Sequence, residues 1–263
     1  MAPGGEWDDL QDMSDSGFLN AIQADPANEA IRLIYADWLE ERGDQRAEYL
    51  RLEARLAEPG LACTVYEEVH DRLIQLRASL APRWLAQMDQ PRSFVMLWPR
   101  WYCDTLVTQR QVGQPLRLIG SRNGDDQLRR CGIWPGVNVY TVSIHMRRLY
   151  VHGRMRVQEL MWPDEYLRLH PDDGHLLAPR THDRAVICGT SGTPLRFDAT
   201  VPASMLRRFR VRLSKSERPL KHIRDDEVTH GVELTGITPI AKRTGLDLDS
   251  LLSSQSFHEA PTP

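Results

Sequence analysis

The apolar residues of this 263-residue chain keep a helical period to about residue 88, and beyond Pro91 they change to short β-branched and aromatic runs. A stripe repeating near every 3.6 residues must bury one face of a helix, whereas short apolar runs bounded by turn residues must pair as strands. The chain is therefore predicted to be α+β, with a small N-terminal helical bundle followed by a mainly β unit. Phe18, Leu19 and Ile22 share a helical face that ends at Asp25-Pro26, since proline disfavours the α conformation in the residue before it. Ile31, Leu33, Ile34, Trp38 and Leu39 form a second face, closed by Gly43 where a helix end wants a left-handed residue. A third helix, Asp44 to Ala57, carries Tyr49, Leu50, Leu52 and Leu56 and stops at Pro59-Gly60.

These signals predict an unstructured lead-in over 1–15, a helical unit over 16–60 and a linking helix over 61–90 that Pro82 interrupts. A mainly β unit follows over 91–252, with a flexible tail over 253–263. The expected strands are Phe94 to Trp98, Leu116 to Ile119, Val137 to Ile144, Leu149 to Val151, Met155 to Leu160, Ala185 to Cys188 and Leu195 to Phe197. Helices are expected from Pro202 to Phe209 and from Pro239 to Leu252, the latter with Thr238 as N-cap and Pro239 at the first helical position. Three segments share a proline, leucine, basic pattern: Pro115-Leu116-Arg117, Pro194-Leu195-Arg196 and Pro219-Leu220-Lys221. Proline opening an edge strand accounts for them without duplication.

Composition narrows the class. A charged fraction of 26% against 41% hydrophobic excludes disorder, and a net charge of -3 leaves no global field to draw nucleic acid, so polyanion binding requires a local patch. Cys63, Cys103, Cys131 and Cys188 have no paired spacing and read as reduced thiols. An acidic start (Glu6, Asp8, Asp9, Asp12, Asp15) is unlike a signal peptide, and no apolar run approaches the roughly 20 residues of a membrane span. The expectation is a soluble, cytoplasmic protein with no membrane partner.

The run Arg32-Leu33-Ile34-Tyr35-Ala36-Asp37-Trp38-Leu39-Glu40-Glu41-Arg42-Gly43-Asp44, with Ala47-Glu48-Tyr49-Leu50-Arg51-Leu52 after it, resembles the repeat-companion domain of planctomycete-type bacteria over residues 16–58. That resemblance implies an accessory module found beside repeat domains, with no established catalytic role. Gly136-Val137-Asn138-Val139-Tyr140 and Arg148-Leu149-Tyr150-Val151-His152-Gly153-Arg154-Met155-Arg156-Val157 are similar to barrel strands of PUA-like and EVE-like domains. Such domains hold RNA or modified bases, so this resemblance implies RNA or a nucleotide as partner.

Arg207, Arg208, Arg210, Arg212, Lys215, Arg218, Lys221 and Arg224, broken only by Glu217, form the strongest local positive field. With Arg147, Arg148, Arg154 and Arg156 they offer phosphates a basic face, and Tyr150, Phe209 or Trp162 offers a base a stacking surface. Arg148, Arg154, Arg156, Arg208 and Arg210 are the candidate polyanion contacts. The alternative is a solvated segment whose arginines pair with the chain's own carboxylates. Tyr35, Asp37 and Trp38 are either a protein-docking face or a helical core stripe.

His170, His175, His182 and Cys188 match no zinc spacing, and a polar turn explains the histidines, so no metal is expected. Gly189-Thr190-Ser191-Gly192-Thr193 lacks both the P-loop lysine and the G-x-S-x-G order, and glycines serving unusual backbone angles between strands suffice. No cofactor and no catalytic residue is assigned. The leading reading is a non-catalytic binding protein. A protein-protein adaptor and a hydrolase around Ser191 remain as alternatives.

Overall fold

The computed structural model describes residues 14–25, 28–56, 63–88, 92–177, 184–189, 192–212 and 217–254. Helix α1 (Asp15–Ala24) opens one residue earlier than the sequence suggested, because the Ser14 side chain accepts the Gly17 N–H and caps it. Asn28 does the same for α2 (Glu29–Glu40), accepting from Ala30 and Ile31. Gly43 sits at φ 64, and its N–H bonds back to the Glu40 carbonyl, which turns the chain into α3 (Arg46–Leu56). The expected linking helix is two helices, α4 (Cys63–Ser79) and α5 (Pro82–Met88), divided where Pro82 takes a first helical position. Leu76, Leu80, Trp84, Leu85 and Met88 share a core with Phe18, Ile22, Tyr35, Leu39 and Tyr49. Both helices are thus members of the first compact unit, which runs to Gln90.

The second unit, from Pro91 onward, is built on one sheet. Its elements in order are β1 (Ser93–Leu97), α6 (Arg100–Thr108), β2 (Leu118–Ser121), α7 (Asp125–Arg130), β3 (Asn138–His145) and β4 (Arg148–Met161). There follow α8 (Pro163–Leu169), β5 (Ala185–Gly189), α9 (Ala203–Arg208), β6 (Arg210–Arg212), β7 (Glu217–Pro219), β8 (Ile223–Arg224), β9 (Glu227–Val228), β10 (Ile237–Ile240) and α10 (Lys242–Ser254). The eight-stranded order is β2-β5-β4-β3-β1-β10-β6-β7, with β1 and β3 parallel and every other pair antiparallel. Among the described residues the end strands β2 and β7 do not pair with each other, and β8 and β9 form a separate hairpin.

The sheet is buried on both faces, as period 2 requires when both are apolar. Phe94, Met96, Val139, Met155 and Ile187 enter one core, and Val95, Tyr140, Val142, Val151, Val211 and Ile240 enter the other. The fold is α+β. Helix α10 starts at Lys242, and Thr238 and Pro239 lie in β10 opposite Val95 and Phe94. Their helix-start signal is overridden by pairing with β1, and the ladder toward β6 engages only Ile240 with Val211, which leaves room for a residue without an N–H. Pro115 and Pro194 form an antiparallel bridge and Pro219 lies on edge strand β7, so two copies of the proline-leucine-basic pattern meet directly. No helix among the described residues is long and apolar enough to cross a membrane.

Candidate binding surface

The two short strands expected over 149–160 are one strand, β4, with a bulge. Thr141 pairs with Gly153 while Val142 pairs with Val151, so His152 is the extra residue. Paired residues share a face, so the bulge sets the direction of every arginine around it. Before the bulge, Leu149 and Val151 enter the core holding Tyr140, and Arg148, paired with His145, points away from it. After the bulge, Arg154 and Arg156 pair with Tyr140 and Asn138 and point toward it. Arg148 and the pair Arg154 and Arg156 therefore lie on opposite faces of the sheet.

The bulge also drives His152 into the interior, where it is 2% exposed between the rings of Trp98 (6.0 Å) and Phe197 (4.8 Å). Its Nδ1 lies 2.9 Å from the Arg196 carbonyl, which can only accept, so the proton sits on Nδ1. Nε2 then accepts from the Ser143 hydroxyl at 2.8 Å, with the Cys103 thiol at 3.5 Å. This is the connectivity of a nucleophile and its base, but burial pushes His152 down to about 4 and the Cys103 thiol up to about 11, and Ser143 is 1% exposed. A neutral imidazole and an un-ionised thiol sealed from solvent hold the bulge in place and offer no group to a substrate.

The other chemical candidates resolve similarly. Ser191, Thr190 and His182 lie outside the described residues. Gly189 and Gly192 are small for reasons of approach: a Cβ at Gly189 would meet the Arg156 carbonyl at 2.6 Å, and one at Gly192 the Leu116 carbonyl at 1.8 Å. Neither has a positive φ, which corrects the backbone-angle reading. The His175 Nδ1–H donates to the Asp172 carbonyl (2.7 Å), and among the described residues no three ligating side chains gather.

The basic residues gather elsewhere. Arg147 and Arg207, from separate parts of the chain, bind adjacent carboxylates of the β8–β9 hairpin: Arg147 to Glu227 at 3.0 Å and Arg207 to Asp226 at 3.2 Å. The Val228 N–H donates to the Arg147 carbonyl, tying the β3–β4 tip to that hairpin. Arg148 and Arg208 follow these anchors in sequence, and Arg147, Arg207 and Arg208 are each more than half exposed. Arg208 reaches Asp247 of α10 at 3.3 Å, and Arg148 makes no side-chain bond among the described residues. Arg210 folds its guanidinium onto the carbonyls of Arg207 and Phe209 and donates its backbone N–H to Thr244. Arg154, less than a third exposed, bonds Asp249 at 3.1 Å. Burial raises the Asp249 carboxyl despite that arginine. Of the stacking candidates, Phe209 is buried, Tyr150 half-buried and Trp162 63% exposed.

In the first unit, Tyr35 is fully buried and belongs to the core; its hydroxyl donates to Asp15 (2.6 Å) and accepts from Trp84 Nε1 (3.2 Å). Burial, then the Asp15 bond, push its pKa upward. Asp37 is exposed and bound to Arg51 at 2.8 Å. Trp38 is half-buried against Phe18, with the Arg42 guanidinium 3.7 Å above its ring.

No protein-family model matches the chain, and no curated protein matches it. Among solved structures, the ASCH from Zymomonas mobilis is similar over 61% of this chain and 95% of its own, at 10% identity and a TM-score of 0.30. A likeness that loose carries no argument about function.

One surface residue escaped the sequence reading. Met146, 77% exposed, forms the β3–β4 tip with Arg147, at φ 46 and 61. Two positive-φ residues make a type I′ turn, whose usual sequence is Asn-Gly, so the letters Met-Arg gave no turn signal. Each side chain held there costs about 1–2 kcal/mol.

Proposed function

We propose that this chain is a non-catalytic, cytoplasmic binding protein whose C-terminal unit contacts single-stranded RNA through Arg147, Arg148, Arg207 and Arg208. The observation that carries the reading is the pairing of Arg147 and Arg207, from separate parts of the chain and each followed by a second arginine, with Glu227 and Asp226 of one hairpin. Exposed ion pairs contribute only about 0–1 kcal/mol, so phosphates can exchange for these carboxylates at small cost. Arg154 and Arg156, on the other face of the sheet, and Arg210, folded onto the α9 end, support these elements and take no part in the contact. The N-terminal unit acts as an accessory module of repeat-companion type, meeting a protein partner through Asp37 and the outer edge of Trp38. The sequence resemblance of Gly136 to Tyr140 and Arg148 to Val157 to PUA-like strands supports a nucleic-acid ligand.

The test is anisotropy of a labelled single-stranded RNA titrated with the full chain at rising salt. Binding at low salt that weakens with a slope of about 0.7 per phosphate contact supports the reading. A second reading, a protein-protein adaptor, is favoured by the carboxylates already paired with Arg147, Arg154, Arg207, Arg208 and Arg218. Absence of RNA binding at low salt would leave the adaptor.

A further inference from the structure

We infer that the β3–β4 hairpin tip inserts Met146 between unpaired bases of the bound RNA, while Arg147 and Arg148 hold the flanking phosphates; this rests on the RNA-binding reading. Two hairpins of identical loop length stand side by side at this end of the second unit. In β8–β9 the two positive-φ positions are Asp225 (φ 53) and Asp226 (φ 62), a residue type that tolerates the left-handed region. In β3–β4 they are Met146 and Arg147, neither of which favours that conformation, although only Asn-Gly is needed to relieve it.

Retained strain beside a large exposed apolar side chain fits a tip selected for contact, since strain persists where it is part of a function. Met146 is the most exposed of the large hydrophobic side chains in the described residues. The tip is also pre-organised. The Val228 N–H on the Arg147 carbonyl and the Arg147–Glu227 pair hold it against the second hairpin, so little ordering remains for binding. The occupant follows from charge. Arg148 makes no side-chain bond among the described residues, and Arg147, paired with Glu227, is more than half exposed, so an apolar apex stands beside two cations that phosphates can reach, the pattern that takes a polyanion with accessible apolar faces between its charges.

The experiment compares the full chain with Met146→Asn and Met146→Leu for a labelled oligouridine RNA and for phosphatidylserine vesicles. Met146→Asn suits the backbone and removes the apolar group. It is expected to weaken RNA binding by about fivefold, the value of one lost base contact, with an unchanged salt slope and an equal or higher melting temperature. Met146→Leu is expected to keep most of the affinity. Unchanged RNA affinity in Met146→Asn overturns the insertion while leaving the RNA reading intact. No RNA binding by the unaltered chain overturns both. Vesicle binding that Met146→Asn abolishes, without RNA binding, assigns the tip to a membrane surface instead.

Discussion

Arg148, Arg154 and Arg156 stand at even-numbered positions along β4, yet the two halves of the strand treat them oppositely. Arg148, before the bulge, has no partner among the described residues, whereas Arg154, after it, is mostly covered and bonded to Asp249. The side chains are chemically identical, so the difference lies in the single extra residue between them. His152 rotates the rest of the strand by one pleat and decides which arginines reach solvent and which support α10. A binding surface on a sheet is thus selected by backbone register as much as by residue type.

The most forceful way to break this comparison is to insert one alanine between His152 and Gly153. If the bulge still holds a single extra residue, Arg154 and Arg156 turn into the core that holds Val139 and Ile187, and Met155 and Val157 turn out of it. Burying two unpaired guanidinium groups costs several kcal/mol each, comparable with the whole stability of a domain. The expected outcome is loss of the cooperative unfolding transition of the sheet, followed by near-ultraviolet circular dichroism. An insertion variant that melts normally would show that the bulge absorbs a second extra residue.

A gentler way is to charge the bulge. Burial holds the folded His152 near 4, against about 6.5 for an unfolded histidine, so the unfolded state takes up the proton first as the solution is acidified. Stability from this group is complete above pH 6.5 and falls as the pH drops toward 4, by about 3 kcal/mol. Urea unfolding at pH 7 and at pH 4.5 should show that loss. The acid sensitivity should be smaller in His152→Gln, because the carboxylates held low by arginines, Asp44 and Glu48 among them, titrate in both proteins. Equal acid slopes would place the sensitivity elsewhere.

The same contrast shows what was legible beforehand. The helices of the first unit were readable because one apolar stripe, an Asp25-Pro26 break and a left-handed Gly43 all agree. Helix α6 was not: Trp101, Tyr102, Cys103, Thr105 and Val107 are poor helix formers, and Tyr102, Cys103 and Leu106 are buried only because the sheet lies beneath them. Thr238-Pro239 carried a strong local helix-start signal that long-range pairing with β1 defeated. Of the site, the basic segments were visible as charge, and their division was not. Nothing in Val151-His152-Gly153 marks a bulge apart from the glycine. The pairing of Arg147 and Arg207 with one hairpin joins residues sixty positions apart, a contact no local pattern encodes.

The smallest expected effect sharpens the comparison most, because it separates stability from binding at two arginines of the same strand. Arg154→Ala leaves the Asp249 carboxylate, already raised by burial, without its cation, and should cost about 1–2 kcal/mol in urea unfolding. Arg148→Ala removes a side chain that makes no bond among the described residues and should change stability by less than about 0.5 kcal/mol. Its consequence belongs to binding: RNA affinity should fall, with the salt slope shallower by about 0.7, the signature of one lost phosphate contact on a single strand. If instead Arg148→Ala leaves the slope alone and Arg154→Ala reduces it, the α10 side is the contact face. The bulge would then have turned the working arginines toward the helix and left Arg148 as ordinary surface.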